Sequence, residues 1–318
     1  MILVYTYNDD KITTIVAIYV DDLIVASNDE LRLQQLKENL KKSFDMKDLG
    51  KISYGLGIKF NQNKDEITMS QRKYTQEILK KLNMENCKPI STSIKIAEKL
   101  TKAMCPKTEE EAKRMQNIPY QELIGALMYL ALFTRPDIAH AVSVLGQFNA
   151  NYGTQHWAAA KRVLRYLKRT QDVGLKFVKG NESLTGFADA DWGASTDDRR
   201  SYTGFAFILA NAAEQRTVAM SSTEAEYMSL SDSSKAAIHL RRLLEEILDD
   251  QKTTTIYNDN QGAGLLSKNP VFHNRTKHVG IRHHFIRECI ERGNVELKYI
   301  ATTDMPKAQL MFKQTWTN

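Results

Sequence analysis

At 318 residues, with 42% hydrophobic and 26% charged side chains, the chain is long enough for two or three folded units, and its composition excludes general disorder. The net charge of +6 is uneven, +8 over residues 1–180 and −2 over 181–318, so the first part attracts an acidic polymer and the second keeps surplus carboxylates. Cys87, Cys105 and Cys289 are odd in number and far apart, which fits buried or free thiols in a reducing compartment better than a disulfide framework.

No apolar run reaches the roughly 20 residues of a membrane span, and residues 1–5 are too short for a signal peptide. The expected setting is cytoplasmic, with the nucleus as the alternative, and without a membrane partner. In chain order, residues 13–20 and 23–26 are β-rich runs meeting at Asp21-Asp22, which predicts a hairpin. Leu31, Leu33, Leu36, Leu40 and Phe44 repeat at helical spacing and predict an amphipathic helix. A β stretch over 53–69 breaks at Asn61-Gln62-Asn63. Residues 74–82 read as helix, and the polar, proline-punctuated 87–107 as a linker. Two apolar helices, 120–133 and 137–148, flank Arg135-Pro136-Asp137, where proline suits the first turn of a helix. A basic helix over 156–170 follows. From Leu184 the pattern becomes two strands, a long helix over 223–248, a strand over 253–257, a helix and a strand over 295–300. There is no internal repeat.

Two constellations carry chemistry. Asp21 and Asp22 at a tight strand turn repel one another unless a cation lies between them. Magnesium is the natural partner, and phosphoryl transfer is its chemistry. Turn statistics alone favour a plain solvated turn, but the strongly apolar flanks reverse that ranking. The second set comprises Asp189 in Ala188-Asp189-Ala190-Asp191-Trp192, Glu226 in Ser221-Ser222-Thr223-Glu224-Ala225-Glu226-Tyr227, and Asp259 in Tyr257-Asn258-Asp259-Asn260-Gln261. One acid ends a strand, one starts a helix and one ends a later strand. In an α/β sheet such positions can converge and hold two metal ions for phosphodiester hydrolysis. Singly, each is more often a surface carboxylate.

The basic run Lys161, Arg162, Arg165, Lys168 and Arg169 reads equally as a solvated face or as phosphate contacts. His273, His278, His283 and His284 have spacings that disfavour zinc, while Arg275, Lys277 and Arg282 beside them are further candidates for phosphate contact.

In this setting Tyr19-Val20-Asp21-Asp22 resembles the polymerase active-site hairpin of reverse transcriptases. Asp48-Leu49-Gly50 and Tyr54-Gly55-Leu56-Gly57-Ile58 resemble the segment leading to the primer-gripping hairpin. Ser70-Gln71-Arg72-Lys73-Tyr74, Cys87-Lys88-Pro89-Ile90-Ser91-Thr92, Tyr120-Gln121-Glu122-Leu123-Ile124-Gly125 and Thr134-Arg135-Pro136-Asp137-Ile138 match later markers. Together they resemble the Pol polyprotein of copia-type long-terminal-repeat retrotransposons along nearly the whole chain.

The resemblance implies an α/β protein in three parts. These are an α+β reverse transcriptase palm and thumb remnant over 1–95, a helical connection over 96–180, and a ribonuclease H-like three-layer α/β domain over 181–318. It implies RNA-directed DNA synthesis and cleavage of RNA in RNA–DNA hybrids. Asp21, Asp22, Asp189, Glu226 and Asp259 become metal-binding catalytic residues, with Asp191 and Glu224 as neighbours. Mg2+ is the implied cofactor, with Mn2+ as alternative. The implied partners are an RNA–DNA hybrid or another nucleic acid, and an intact Pol subunit.

Three departures from the family temper this. The chain begins 20 residues before Asp21, too few for the earlier strand that carries a further metal-binding aspartate, so polymerase activity by this chain alone is not expected. The stretch between Phe207 and Gln215 is short, so residues 216–220 are expected to take the sheet edge or to leave it raw. Ala308 stands where a fourth aspartate is expected, with Asp304 one helical turn earlier, which weakens the expected hydrolysis. The sequence reads as a truncated or degenerate copy. The rival reading is a non-catalytic nucleic-acid-binding remnant.

Overall fold

The computed structural model describes residues 3–9, 11–95, 99–180, 183–190, 203–209, 212–215, 223–248, 252–260, 277–301 and 303–305. Within these, the side chains of 190, 203, 212–215, 223–228 and 277–283 are not described. The architecture is mixed α/β, built on three sheets among the described residues.

The first sheet is an antiparallel meander of β1 (Leu3–Asp9), β2 (Ile12–Tyr19) and β3 (Asp22–Ser27). The predicted hairpin is present, but its turn is Val20-Asp21, and Asp22 is already the first residue of β3, paired with Tyr19. β1 was not expected. Its apolar residues Leu3, Val4 and Tyr5 are consecutive and do not alternate with polar ones, and all seven residues of the strand are exposed. Helix α1 (Glu30–Ser43) starts at Asp29, whose side chain accepts from the Arg32 amide at 2.6 Å. Its predicted apolar stripe is not buried: no residue of α1 is buried and Leu31 is 76% exposed.

The second sheet joins β4 (Tyr54–Gly55), β5 (Ile58–Gln62), β6 (Glu66–Ser70) and β7 (Leu175–Val178), all antiparallel. Asn61 and Gln62 lie in β5, so the break expected at 61–63 falls at 63–65 instead. Strand β7 arrives after the helices and pairs with β6, so residues 1–95 and 96–180 share one sheet.

The helices between them are α2 (Arg72–Lys81), α3 (Glu109–Gln116), α4 (Tyr120–Phe133), α5 (Ala139–Gly146) and α6 (Thr154–Arg169). Their core gathers Leu79, Leu123, Leu127, Leu130, Leu145 and Leu164. Burying such a leucine contributes roughly 1.5–3 kcal/mol, so this cluster is a main source of stability for the first half. Fully buried Tyr120 keeps its hydroxyl satisfied by donating to the Leu145 carbonyl at 2.8 Å, and burial pushes its phenol pKa up. Arg135, at the turn after α4, is 2% exposed and forks onto Asp137 through Nε at 2.9 Å and Nη2 at 2.6 Å. It also donates to the Thr170 carbonyl at 2.9 Å and the Thr170 hydroxyl at 2.5 Å, which ties the turn to the end of α6. A buried charge persists only when paired and hydrogen-bonded in this way.

The third sheet has the order β10-β9-β8-β11-β12, from β8 (Thr185–Ala190), β9 (Thr203–Leu209), β10 (Ala212–Gln215), β11 (Thr254–Asn258) and β12 (Val295–Tyr299). β9 runs antiparallel to both β8 and β10, and β11 and β12 join in parallel. Parallel neighbours need a long crossover. Between β8 and β11 it includes α7 (Thr223–Leu248), and between β11 and β12 it includes α8 (Lys277–Glu291). Both helices pack on the sheet face of Ala188, Ile256 and Val295 through Leu230, Ala237, Ile286 and Cys289. Among the described residues the edge strand is Ala212–Gln215, and residues 216–220, expected at that edge, lie outside the described residues. Across units, the Thr6 hydroxyl donates to the Glu246 carbonyl at 3.2 Å and the Asn8 side chain to the Ile247 carbonyl at 3.1 Å. They satisfy last-turn carbonyls of α7 that have no helical partner.

Candidate functional site

The acidic turn of the first sheet is strained. Val20 holds φ at 53° and is 75% exposed, a left-handed conformation that costs a branched residue on the order of 1–3 kcal/mol. The turn sets Asp21 and Asp22 side by side in the chain, both exposed. Among the described residues, no group of three or more His, Cys, Asp or Glu side chains is gathered to hold a metal, so this pair stands as two carboxylates.

The resemblance names a second turn, between β4 and β5, and it is built on Leu56 (φ 53°) and Gly57 (φ 69°). Two consecutive positive φ values suit a two-residue hairpin whose twist matches its strands. Tyr129 of α4 donates its hydroxyl to the Leu56 carbonyl and packs against Tyr74 at 5.0 Å and Phe133 at 4.9 Å. Burial, then the neighbouring Tyr74, pushes its phenol pKa up.

In the third sheet, β8 and β11 pair in parallel with Thr255 opposite Thr185 and Tyr257 opposite Phe187. Carried two residues further, that register sets Asp259 level with Asp189 on adjacent strand ends, both half-buried. Two residues before them on each strand, the rings of Phe187 and Tyr257 stack at 5.4 Å. Side-chain periodicity of two places Phe187 on the same sheet face as Asp189, while Asp259 is the first residue past β11.

Past the last backbone pair, the Asn258 side chain donates to the Ala188 carbonyl at 2.9 Å and its oxygen accepts from the Asn260 amide at 2.9 Å. The Ser229 hydroxyl, fully buried, faces two carbonyls, Asp189 at 2.7 Å and Gly204 at 2.9 Å. Glu226 lies three residues before Ser229 in the opening turn of α7, and its side chain is not among those described. The structure therefore brings Asp189, Asp259 and the backbone carrying Glu226 to one corner of the sheet. Asp21 and Asp22 stand apart on another sheet. Asp191 and Ala308 lie outside the described residues, Glu224 is described in its backbone only, and Asp304 is exposed just after β12.

The basic candidates divide. Arg162 donates to the Thr92 hydroxyl at 2.7 Å, Arg165 to the Lys88 carbonyl at 2.7 Å, and Lys168 to the carbonyls of Glu85 at 2.5 Å and Cys87 at 2.8 Å. These three fasten the segment 85–92 along α6. Lys161 lies over the Trp157 ring at 5.6 Å, and Arg169 is exposed. Lys277 and Arg282 fall in α8 with side chains not described, and Arg275 lies outside the described residues. Sequence reasoning passed over Ser229, Asn258 and Tyr129. The available signals were a serine in the α7 pattern where an apolar residue would pack, and an asparagine directly before Asp259.

Residues 2–96 match the family described as reverse transcriptase (RNA-dependent DNA polymerase). The chain is 41% identical over 304 residues to the retrovirus-related Pol polyprotein from transposon TNT 1-94 of Nicotiana tabacum, covering 93% of this chain and 23% of that protein. It is 32% identical over 226 residues to the putative transposon Ty5-1 protein of Saccharomyces cerevisiae, covering 68% of this chain and 71% of that protein. A foamy viral protease-reverse transcriptase in complex with double-stranded DNA aligns with 63% of this chain and 36% of its own, at 13% identity and a TM-score of 0.37. The chain belongs to the copia-type retrotransposon Pol family. It spans less than a quarter of the length of the tobacco polyprotein.

Proposed function

We propose that residues 181–318 form a ribonuclease H-like domain that cleaves the RNA strand of RNA–DNA hybrids. In the same reading, residues 1–95 supply the Asp21-Asp22 turn of an RNA-directed DNA polymerase, and residues 96–180 are the helical connection. The observation that carries it is the parallel register that sets Asp189 and Asp259 level at neighbouring strand ends, beside the opening turn of the helix that bears Glu226. The donor set is all carboxylate oxygen, which suits Mg2+ or Mn2+ rather than a soft metal. Asp189, Glu226 and Asp259 are the residues that would hold the ions. When bound, the ions supply an activated water and stabilise the leaving 3′ oxygen.

Nucleotide addition by this chain alone is not part of the proposal. Among the described residues no third acid stands with Asp21 and Asp22, and two carboxylates on one turn give a metal-bound triphosphate no opposing ligand. Lys161 and Arg169, with Arg275, Lys277 and Arg282, are the proposed phosphate contacts, while Arg162, Arg165 and Lys168 act first on segment 85–92. The proposed setting is cytoplasmic or nuclear, wherever the hybrid is made, and an intact Pol subunit is the proposed protein partner.

The test is cleavage of a labelled RNA–DNA hybrid by the purified chain with Mg2+ or Mn2+, beside Asp189→Asn. Metal-dependent cutting that disappears in the variant supports the reading. Salt-sensitive binding of the hybrid without cutting would replace it with a non-catalytic binding role.

A further inference from the structure

We infer that Ser229 and Asn258 are positioning residues that hold the three acid-bearing segments in one frame, an inference that rests on the ribonuclease reading of Asp189, Glu226 and Asp259. The last backbone pair between β8 and β11 is Phe187 with Tyr257. Beyond it, two consecutive carbonyls of β8 receive side-chain donors, Ala188 from Asn258 and Asp189 from Ser229.

Each donor sits beside an acid. Asn258 directly precedes Asp259. Ser229 follows Glu226 by three residues, which on a helix is the same face about 4.5 Å along the axis. The accepting carbonyls belong to Asp189 itself and to the residue before it. Ser229 also faces the carbonyl of Gly204, the cross-strand partner of Asp189, so one hydroxyl spans the end of the β8–β9 ladder. The Asn258–Ala188 and Ser229–Gly204 contacts are buried and the Ser229–Asp189 contact is part-buried, so water has little access with which to replace them.

Fixing the Asp189 carbonyl fixes the peptide plane that follows its Cα, and with it the direction in which the Cα–Cβ bond leaves the strand. Octahedral Mg2+ tolerates little displacement of its oxygen ligands, so a frame loose by about 1 Å weakens binding before it unfolds the sheet. Ser229 and Asn258 act through the acids and touch no reacting atom.

The experiment uses the full chain with Ser229→Ala, Ser229→Cys and Asn258→Ala. Expected for the alanine variants is about a tenfold rise in the Mg2+ concentration for half-maximal hybrid cutting, with KM for the hybrid nearly unchanged and the loss partly recovered in Mn2+. Ser229→Cys, which keeps a weak donor, recovers part of the metal affinity. Amide exchange at residues 189–190 and 223–228 is expected to quicken about tenfold in Ser229→Ala, while the core of α7 keeps its protection. Activity falling in proportion to melting temperature, at an unchanged metal requirement, would overturn the inference and leave a purely structural role. If the unaltered chain cuts with neither metal, the ribonuclease reading fails. The exchange measurement then decides the tether alone, and unchanged exchange would overturn that as well.

Discussion

Phe187 and Tyr257 stack ring to ring at 5.4 Å across two parallel strands, each two residues before an aspartate of the candidate site. The pair links packing to chemistry, because it resists a register slip that would separate Asp189 from Asp259. A one-residue slip would send one aspartate to the opposite face of the sheet. Replacing each ring by leucine, singly and together, is expected to reveal a coupling of about 0.5–1.5 kcal/mol in a double-mutant cycle. Urea unfolding measures it, and strictly additive losses would show that the rings do not support one another.

The buried fork between Arg135 and Asp137 sits at the junction of α4, α5 and the end of α6. Asp137→Ala leaves a guanidinium with no counter-charge in the core and is expected to cost about 3–5 kcal/mol. The double variant Arg135→Met with Asp137→Ala is expected to lose less than the two single losses added. Chemical denaturation of the three variants checks both statements.

Helix α3 opens with a reciprocal cap. The Thr108 hydroxyl accepts from the Glu111 amide at 3.2 Å, while the Glu111 carboxylate accepts from the amides of Lys107 at 2.7 Å and Thr108 at 3.4 Å. The Lys107 amide, then the Thr108 amide, holds the Glu111 pKa below the ordinary glutamate range. A depressed folded pKa contributes stability above the unfolded value that is lost as pH falls through the folded one. The wild-type advantage over Glu111→Gln should therefore be full near neutrality and fade below about pH 4. Thermal melts of both proteins across that range provide the check.

Gly57 holds φ at 69°, and a Cβ there would lie 2.9 Å from the Tyr129 hydroxyl that caps Leu56. Gly57→Ala is expected to destabilise by about 1–2 kcal/mol through the left-handed backbone and this crowding together. Tyr129→Phe should lose less, since only one hydrogen bond goes and the ring packing stays. A ranking in the other order, by urea midpoint, would mean that the hydroxyl matters more than the turn conformation.

Much of this architecture was legible because its signals are local. The long pattern over 223–248 coincides with α7, and the two β-rich runs about Asp21-Asp22 coincide with β2 and β3 to within two residues. What escaped depends on distant partners. β7 is four residues long and is a strand only because β6, far earlier in the chain, accepts it. β1 is exposed throughout, and α3 buries only Met115, so neither shows a strong apolar period. The charge run of α6 looked uniform, yet Arg162, Arg165 and Lys168 turn toward segment 85–92, and nothing in the spacing separates them from Lys161 and Arg169. The acids themselves were readable as residue types in order. The side chains proposed to align them, Ser229 and Asn258, were less so, because a serine within a helix and an asparagine at a strand end are ordinary until their acceptors are known.

The proposed shared metal site is tested most directly by locating Mn2+ in crystals of the chain through its anomalous scattering. A peak at coordination distance from both Asp189 and Asp259, lost in Asp259→Asn crystals, is the expected result. Mn2+ bound only beside Asp21 and Asp22, or nowhere on the protein at concentrations that support hybrid cutting, would contradict the proposal that these acids converge on one catalytic corner.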